Sequence, residues 1–162
     1  MIKKYLPSKQ SITTIYIVAM GIVLGASLYA GAIVAPVIFH SEAFLGELLS
    51  QYQEGILMTQ NFIRLGFLVN ILVLMVVFYE FFQWKTFKSD KVTLIASFLV
   101  IATGLMFTSY YLPDIIAMQE MGEAMTKSSA FIATHKGSEI NFKIFSFALI
   151  LLMVKNIKKV NA

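Results

Sequence analysis

The residues able to do chemistry gather in one stretch, FIATHKGSEINFK, residues 131 to 143, directly ahead of the apolar run IFSFALILLMV. His135, Glu139 and Lys143 are spaced by four and share one face of a helix, with Ser138 and Asn141 flanking it. A His and a Glu at that spacing can chelate a metal ion, and His40, which closes the first apolar run, would complete the set. His40 and His135 are also placed to act as axial ligands to a haem. Met118, Met121 and Met125 offer soft thioethers of the kind that select copper(I), although the same spacing better suits the apolar face of an interfacial helix. Asn61 and Arg64 in TQNFIRLG, and Asp114 after YYLP, add polar groups from two other segments. There is no phosphate-cradling glycine loop, nucleophile elbow or HExxH pattern, which points away from a conventional enzyme. Cysteine is absent, which excludes disulfides, thiolate metal sites and cysteine nucleophiles.

The elements that must position these residues follow from composition. The chain has 162 residues, 58% hydrophobic and 14% charged, with a mean hydropathy of +0.76. A soluble domain needs roughly a quarter of its residues charged to face water, so this chain is expected to live in a bilayer, with no soluble domain beside its spans. The net charge of +4 comes from lysines in short connections, not from a basic face that would read nucleic acid. Four apolar segments stand near residues 12–39, 56–82, 92–112 and 131–154, each long enough for the roughly 20 residues that cross a bilayer core. The first is about twice the length of a secretory signal core and reads as a retained span. Backbone in lipid must satisfy its own hydrogen bonds, so these segments are helices; the alternation of a barrel strand is missing. The expected fold is an all-α membrane protein, one domain over 1–162. It forms a four-transmembrane-helix up-down-up-down bundle with short interfacial helices in the two outer connections.

Orientation follows from lysine. Lys3, Lys4, Lys9, Lys85, Lys88, Lys91, Lys155, Lys158 and Lys159 are nine of the 13 basic residues, and all fall on one side of a four-span chain. The positive-inside rule then places both termini in the cytoplasm, with the protein multi-pass in the cytoplasmic membrane. Counting back about 20 residues from Lys155 sets the outer rim of the last span near His135. Lys143 lies about 12 Å deeper, close to mid-bilayer. An unpaired charge there costs from about 2.5 to more than 10 kcal/mol, so it must find a partner, lose its proton or meet water. Every span contributes a polar residue to this outer half, and the expectation is a polar, outward-opening cavity, extended inward by Asn70. The alternative is a structural ion network, with Glu139 bridging Arg64 and Lys143. Glu80 is expected to pair with Lys85 or Lys91.

Packing signals are fewer. Gly21 and Gly25 in GIVLG, and Ser27, Gly31 and Ala35 on another face, are small residues that let membrane helices approach, within the bundle or in a homo-oligomer. Pro36 should bend the last turn of its span. SEAFLGELLSQYQ carries apolar residues on one helical face, and LPDIIAMQEMGEAMTKSS opens with Pro113 and Asp114 at a helix start.

YAGAIVAPVIF, the region of Asn61 and Arg64, and FIATHKGSEIN together resemble a bacterial four-helix membrane family of unknown function. That family is related to transmembrane-protein-205-like proteins and distantly similar to copper-resistance-D-like membrane proteins. The family pattern closes a small-residue-rich first helix with Ala-Pro-x-x-Phe, matched by Ala35, Pro36 and Phe39. It opens the last helix with His-x-x-Ser-x-x-Asn, matched by His135, Ser138 and Asn141. The resemblance implies the fold, the topology and a tilt toward metal handling; it supplies no activity, and Glu139 and Lys143 have no counterpart in it. The functional expectation is binding or permeation of a small ion or metal, copper included, through Glu139, His135, His40 and Arg64. The alternatives are a haem- or porphyrin-binding membrane redox protein and a non-catalytic scaffold subunit of a membrane complex.

Overall fold

The computed structural model describes residues 9–86 and 88–160. Lys3, Lys4 and the side chain of Lys9, which carry part of the orientation argument, lie outside the described residues. Four long helices dominate: α1 (Gln10–Phe39), α3 (Gln51–Lys85), α4 (Lys91–Glu120) and α6 (Ser129–Val160), each long and apolar enough to cross a membrane. Two single-turn helices, α2 (Glu42–Leu45) and α5 (Glu123–Thr126), sit in the connections. The architecture is an all-α four-helix membrane bundle, and among the described residues there are no strands.

Local chemistry sets the helix starts. Ser50 and Gln53 form a reciprocal capping box ahead of α3: Ser50 N donates to Gln53 Oε1 at 2.9 Å and Gln53 N to Ser50 Oγ at 3.3 Å. Asp90 caps α4 by accepting from the backbone of Val92 and Thr93. Each span is longer than its apolar core, because backbone bonding continues through the polar flanks. The largest change is in α4, which runs on to Glu120 instead of ending near 112. Pro113 is absorbed by a π-helical turn at Phe107–Tyr111, just as Pro36 in α1 is preceded by one at Ala30–Val34. The interfacial helices are correspondingly shorter than expected. Gly46 (φ 62) ends α2, and Gly122 (φ 97) separates α4 from α5.

The helices pack in ring order, α1 beside α3, α3 beside α4, α4 beside α6, and α6 back against α1. Thr13–Tyr79 at 2.9 Å and Lys155–Asp90 at 2.9 Å bring the start of α1, the turn between α3 and α4, and the end of α6 to one end, called here the terminal end. The connections 40–50 and 121–128 mark the other, the connector end. Val69, Val76, Ala96, Val100, Leu149 and Leu152 form a dry core with no exposed surface. Gly104 lets α4 close on its neighbours: a Cβ there would stand 2.8 Å from Val73 and 3.3 Å from Phe145. Outward, Phe67, Phe98 and Phe147 are 67%, 67% and 74% exposed, an apolar girdle suited to a bilayer, with Phe147 also at the edge of the cleft described below. Gly21 and Gly25 face outward with this girdle, with nothing within 4 Å of their Cβ positions. The two glycines of GIVLG therefore make no close helix contact inside the bundle, while Val23 and Leu24 between them enter the core.

A cleft between α1 and α6 at the connector end

Beyond Tyr29, α1 parts from α6. The two helices pack along Gln10–Tyr29, whereas Ala35–Phe39 leans on α3. The gap is an open cleft of about 1100 Å³. One wall is α1, where Gly31 and Ala35 line the open space and Ser27, fully buried, closes its deep end. The other wall is α6, with His135, Ser138, Glu139, Phe142, Lys143 and Ser146. The floor is an aromatic triad, Phe62, Phe107 and Phe142, whose ring centroids lie 5.1 to 5.7 Å apart. Tyr52 ties the floor together by donating its hydroxyl to the carbonyl of Gln119 at 2.7 Å.

The cleft is apolar with charges ranked along it. Glu123 and Lys127 pair at 2.8 Å at its mouth, and Glu139 and Lys143 pair at 2.6 Å further in. Lys143 is 64% and Glu139 56% exposed at the side chain, so this pair faces the open cleft and is not sealed in the core. Lys143 reaches back one turn toward the connector end, as a long side chain does when its charge seeks a polar region. Lys136 also lines the cleft and forms no ion pair among the described residues. Three lysines against two glutamates leave the lining net positive. At the deep end Ser27 is fully buried and its hydroxyl has no partner.

Of the residues singled out in the sequence, His40, His135, Ser138, Glu139 and Lys143 come together on the cleft. The others do not. Arg64 sits two residues past Phe62, about 200° around the helix, so it points away from the cleft; its Nη1 donates to the carbonyl of Gln60 at 2.7 Å. The proposed Arg64–Glu139–Lys143 network therefore does not form. Asn141 is buried and donates to the carbonyl of Thr103 at 2.8 Å, locking α6 to α4. Asn70 accepts from Thr108 on the α3–α4 seam, Asp114 accepts from Thr134, and the buried Nδ2 of Asn61 has no partner.

Nor do the expected metal ligands converge. Among the described residues no group of three or more His, Cys, Asp or Glu side chains could hold a metal ion. His40 Nδ1 is engaged with the carbonyl of Pro36 at 2.9 Å, and Glu139 is held by Lys143. Met118, Met121 and Met125 share no helical face, because Gly122 breaks the helix between them; Met121 is 69% exposed and Met125 Sδ accepts from Ser128.

Two polar features were not foreseen. Glu54, 3% exposed, accepts from both the backbone and hydroxyl of Ser41 and staples the first connection to α3. Glu80, also 3% exposed, binds Tyr16 and Asn156 and pairs with neither Lys85 nor Lys91. The signal was available for Glu80: a lone acid inside a span is costly unless it turns inward.

Fold and cleft together define a polytopic α-helical membrane protein whose bundle opens sideways at one end. Residues 18–124 match a family described as a domain of unknown function (DUF4149), and the chain belongs to that family. The match stops short of α6, so the charged wall of the cleft lies outside it. No curated protein and no solved structure matches the chain. The expected kinship with transmembrane-protein-205-like and copper-resistance-D-like proteins is not part of these matches.

Proposed function

We propose that the protein binds an amphiphile of the bilayer in the α1–α6 cleft, with the chain on the apolar lining and an anionic head group at the lysines. The observation that carries this reading is the combination of a cleft of about 1100 Å³ with a charged pair exposed into it from within a span. Water-filled or lipid-filled space both have to be reconciled with that pair, and an amphiphile satisfies charge and apolar wall at once. Lys143 lies about one turn and Lys136 about three turns above the apolar depth of Phe147, matching a head group joined to a hydrocarbon chain. In this reading the connector end faces outward and both termini are cytoplasmic, supported by the lysine-rich terminal end.

Gly31 supplies the test. A Cβ there would meet only Phe142 at 3.8 Å, ordinary van der Waals contact, so the start of a larger side chain fits and Gly31→Leu is directed into the cleft. Native mass spectrometry of protein released from lipid nanodiscs should show a retained anionic lipid, reduced at least tenfold in Gly31→Leu and in Lys136→Gln. Equal retention by all three proteins refutes the reading. A second reading, a porphyrin in the same space, is favoured by His40 and His135 both lining the cleft. It requires a Soret band in haem-supplemented protein that His135→Ala abolishes.

A further inference from the structure

A second polar cluster lies at the terminal end, where the cleft does not reach. Glu80 of α3 is 3% exposed and Asn156 of α6 is 1% exposed, both in the centre of the bundle. Tyr16 donates its hydroxyl to Glu80 Oε1 at 3.2 Å, and Asn156 Nδ2 donates to the same oxygen at 2.8 Å. Asn156 Nδ2 also donates to the carbonyl of Leu152 at 3.0 Å. The Leu152 carbonyl can only accept, so the amide cannot be turned round. Two buried oxygens are then left without a donor: Glu80 Oε2 and Asn156 Oδ1. An ionised Glu80 would thus bury a full charge with one oxygen bare, an arrangement proteins avoid.

One proton removes both faults. On Oε2 it turns a bare acceptor into a donor, and Oδ1 of the same amide is the acceptor that lacks one. Acid and amide then form a reciprocal pair: Nδ2–H to Oε1, and Oε2–H to Oδ1. We propose that Glu80 is a buried proton-binding site, a neutral carboxylic acid paired with Asn156 that ties α3 to α6 across the bundle. The surroundings supply no competing counter-ion in contact. Tyr16 stacks on Tyr79 with centroids 4.1 Å apart, and Tyr79 is engaged by Thr13 and Gln83. The stretch Val92–Met106 of α4 has no titratable side chain, and Asp90 and Lys155 are committed to each other at 2.9 Å. Lys159, three residues beyond Asn156, has a buried Nζ with no hydrogen-bond partner and forms no ion pair with Glu80.

Infrared spectroscopy of the full-length protein in lipid tests this directly. At neutral pH the exposed carboxyl groups are ionised, so a protonated-carboxyl C=O band identifies a buried acid. The wild type should show such a band, shifted down in heavy water, and Glu80→Gln, whose amide preserves both bonds of the pair, should lose it. Asn156→Ala keeps the acid and should shift the band, which serves as the check if Glu80→Gln does not fold. The proposal is overturned if the wild type shows no band at neutral pH, if Glu80→Gln retains it, or if added sodium abolishes it at constant pH.

Discussion

The Glu139–Lys143 pair reports what fills the cleft, through the size of its coupling. At 2.6 Å the gross attraction of two unit charges is about 1.6 kcal/mol in water and about 6 kcal/mol at an effective dielectric near 20. Exposed pairs return much less, about 0.2–1 kcal/mol net, because water or a polar head group solvates each partner when the other is removed. A pair against bare acyl chains behaves differently: deleting Lys143 would strand a carboxylate in hydrocarbon at a cost of about 2.5 kcal/mol or more. With side chains 64% and 56% exposed into a cleft lined by further lysine and glutamate, the small value applies. The perturbation is a double-mutant cycle of Lys143→Met, Glu139→Gln and the double variant, measured by reversible unfolding in mixed micelles. The expected coupling is below about 1 kcal/mol and falls further in high salt. A salt-independent coupling above about 3 kcal/mol would refute the reasoning, since it would mean that the pair is sealed from any polar medium.

Two further outcomes follow from the packing and from the terminal end. Gly104→Ala puts a methyl group 2.8 Å from Val73 Cγ2, so it should destabilise the bundle by about 1–3 kcal/mol in the same unfolding assay, with the lipid retention proposed for the cleft unchanged. Asp90 is held well below the usual carboxylate range, first by its hydrogen bond to Lys155 and then by bonds from Thr93. Its stabilisation is therefore complete above the ordinary carboxylate pKa and lost as pH falls below it, so unfolding followed from about pH 5 downward should show an acid limb that Asp90→Asn flattens while still capping α4.

Hydropathy alone was enough to locate the four spans, because about 20 apolar residues in lipid have only one backbone solution. It misjudged the ends. Pro113 reads as a helix start when the π-helical turn that absorbs it is invisible in the sequence, and so α4 runs on to Glu120. Spacing by four put His135, Glu139 and Lys143 on one face, and that face lines the cleft. The same reasoning failed for Arg64 because depth says nothing about azimuth; Phe62, two residues earlier, faces the cleft instead. Ser27, Gly31 and Ala35 were legible as a small-residue face, but small residues fit two uses, a tight helix contact or an opening, and only the course of α1 decides between them.

That course is itself chemical. Pro36 lacks the N–H that would bond to the Ala32 carbonyl and its ring crowds that carbonyl. The π-helical turn at Ala30–Val34 absorbs the extra residue and re-aims the helix beyond it. Past the bulge, α1 leaves α6 and leans on α3, so the cleft opens where the proline turn begins. Pro113 and the bulge at Phe107–Tyr111 act at the same end of the bundle from α4, placing Phe107 in the floor. Two prolines, each preceded by a π-helical turn and each contributing bulge residues to one cavity, are hard to attribute to helix packing, which straight helices serve better. The sequence thus gives up regular packing at one end and retains it at the other, where Glu80, Tyr16 and Asn156 close the core. A bundle tight at the terminal end and split at the connector end has the shape that the proposed amphiphile needs, an opening to the side that stops short of the closed core.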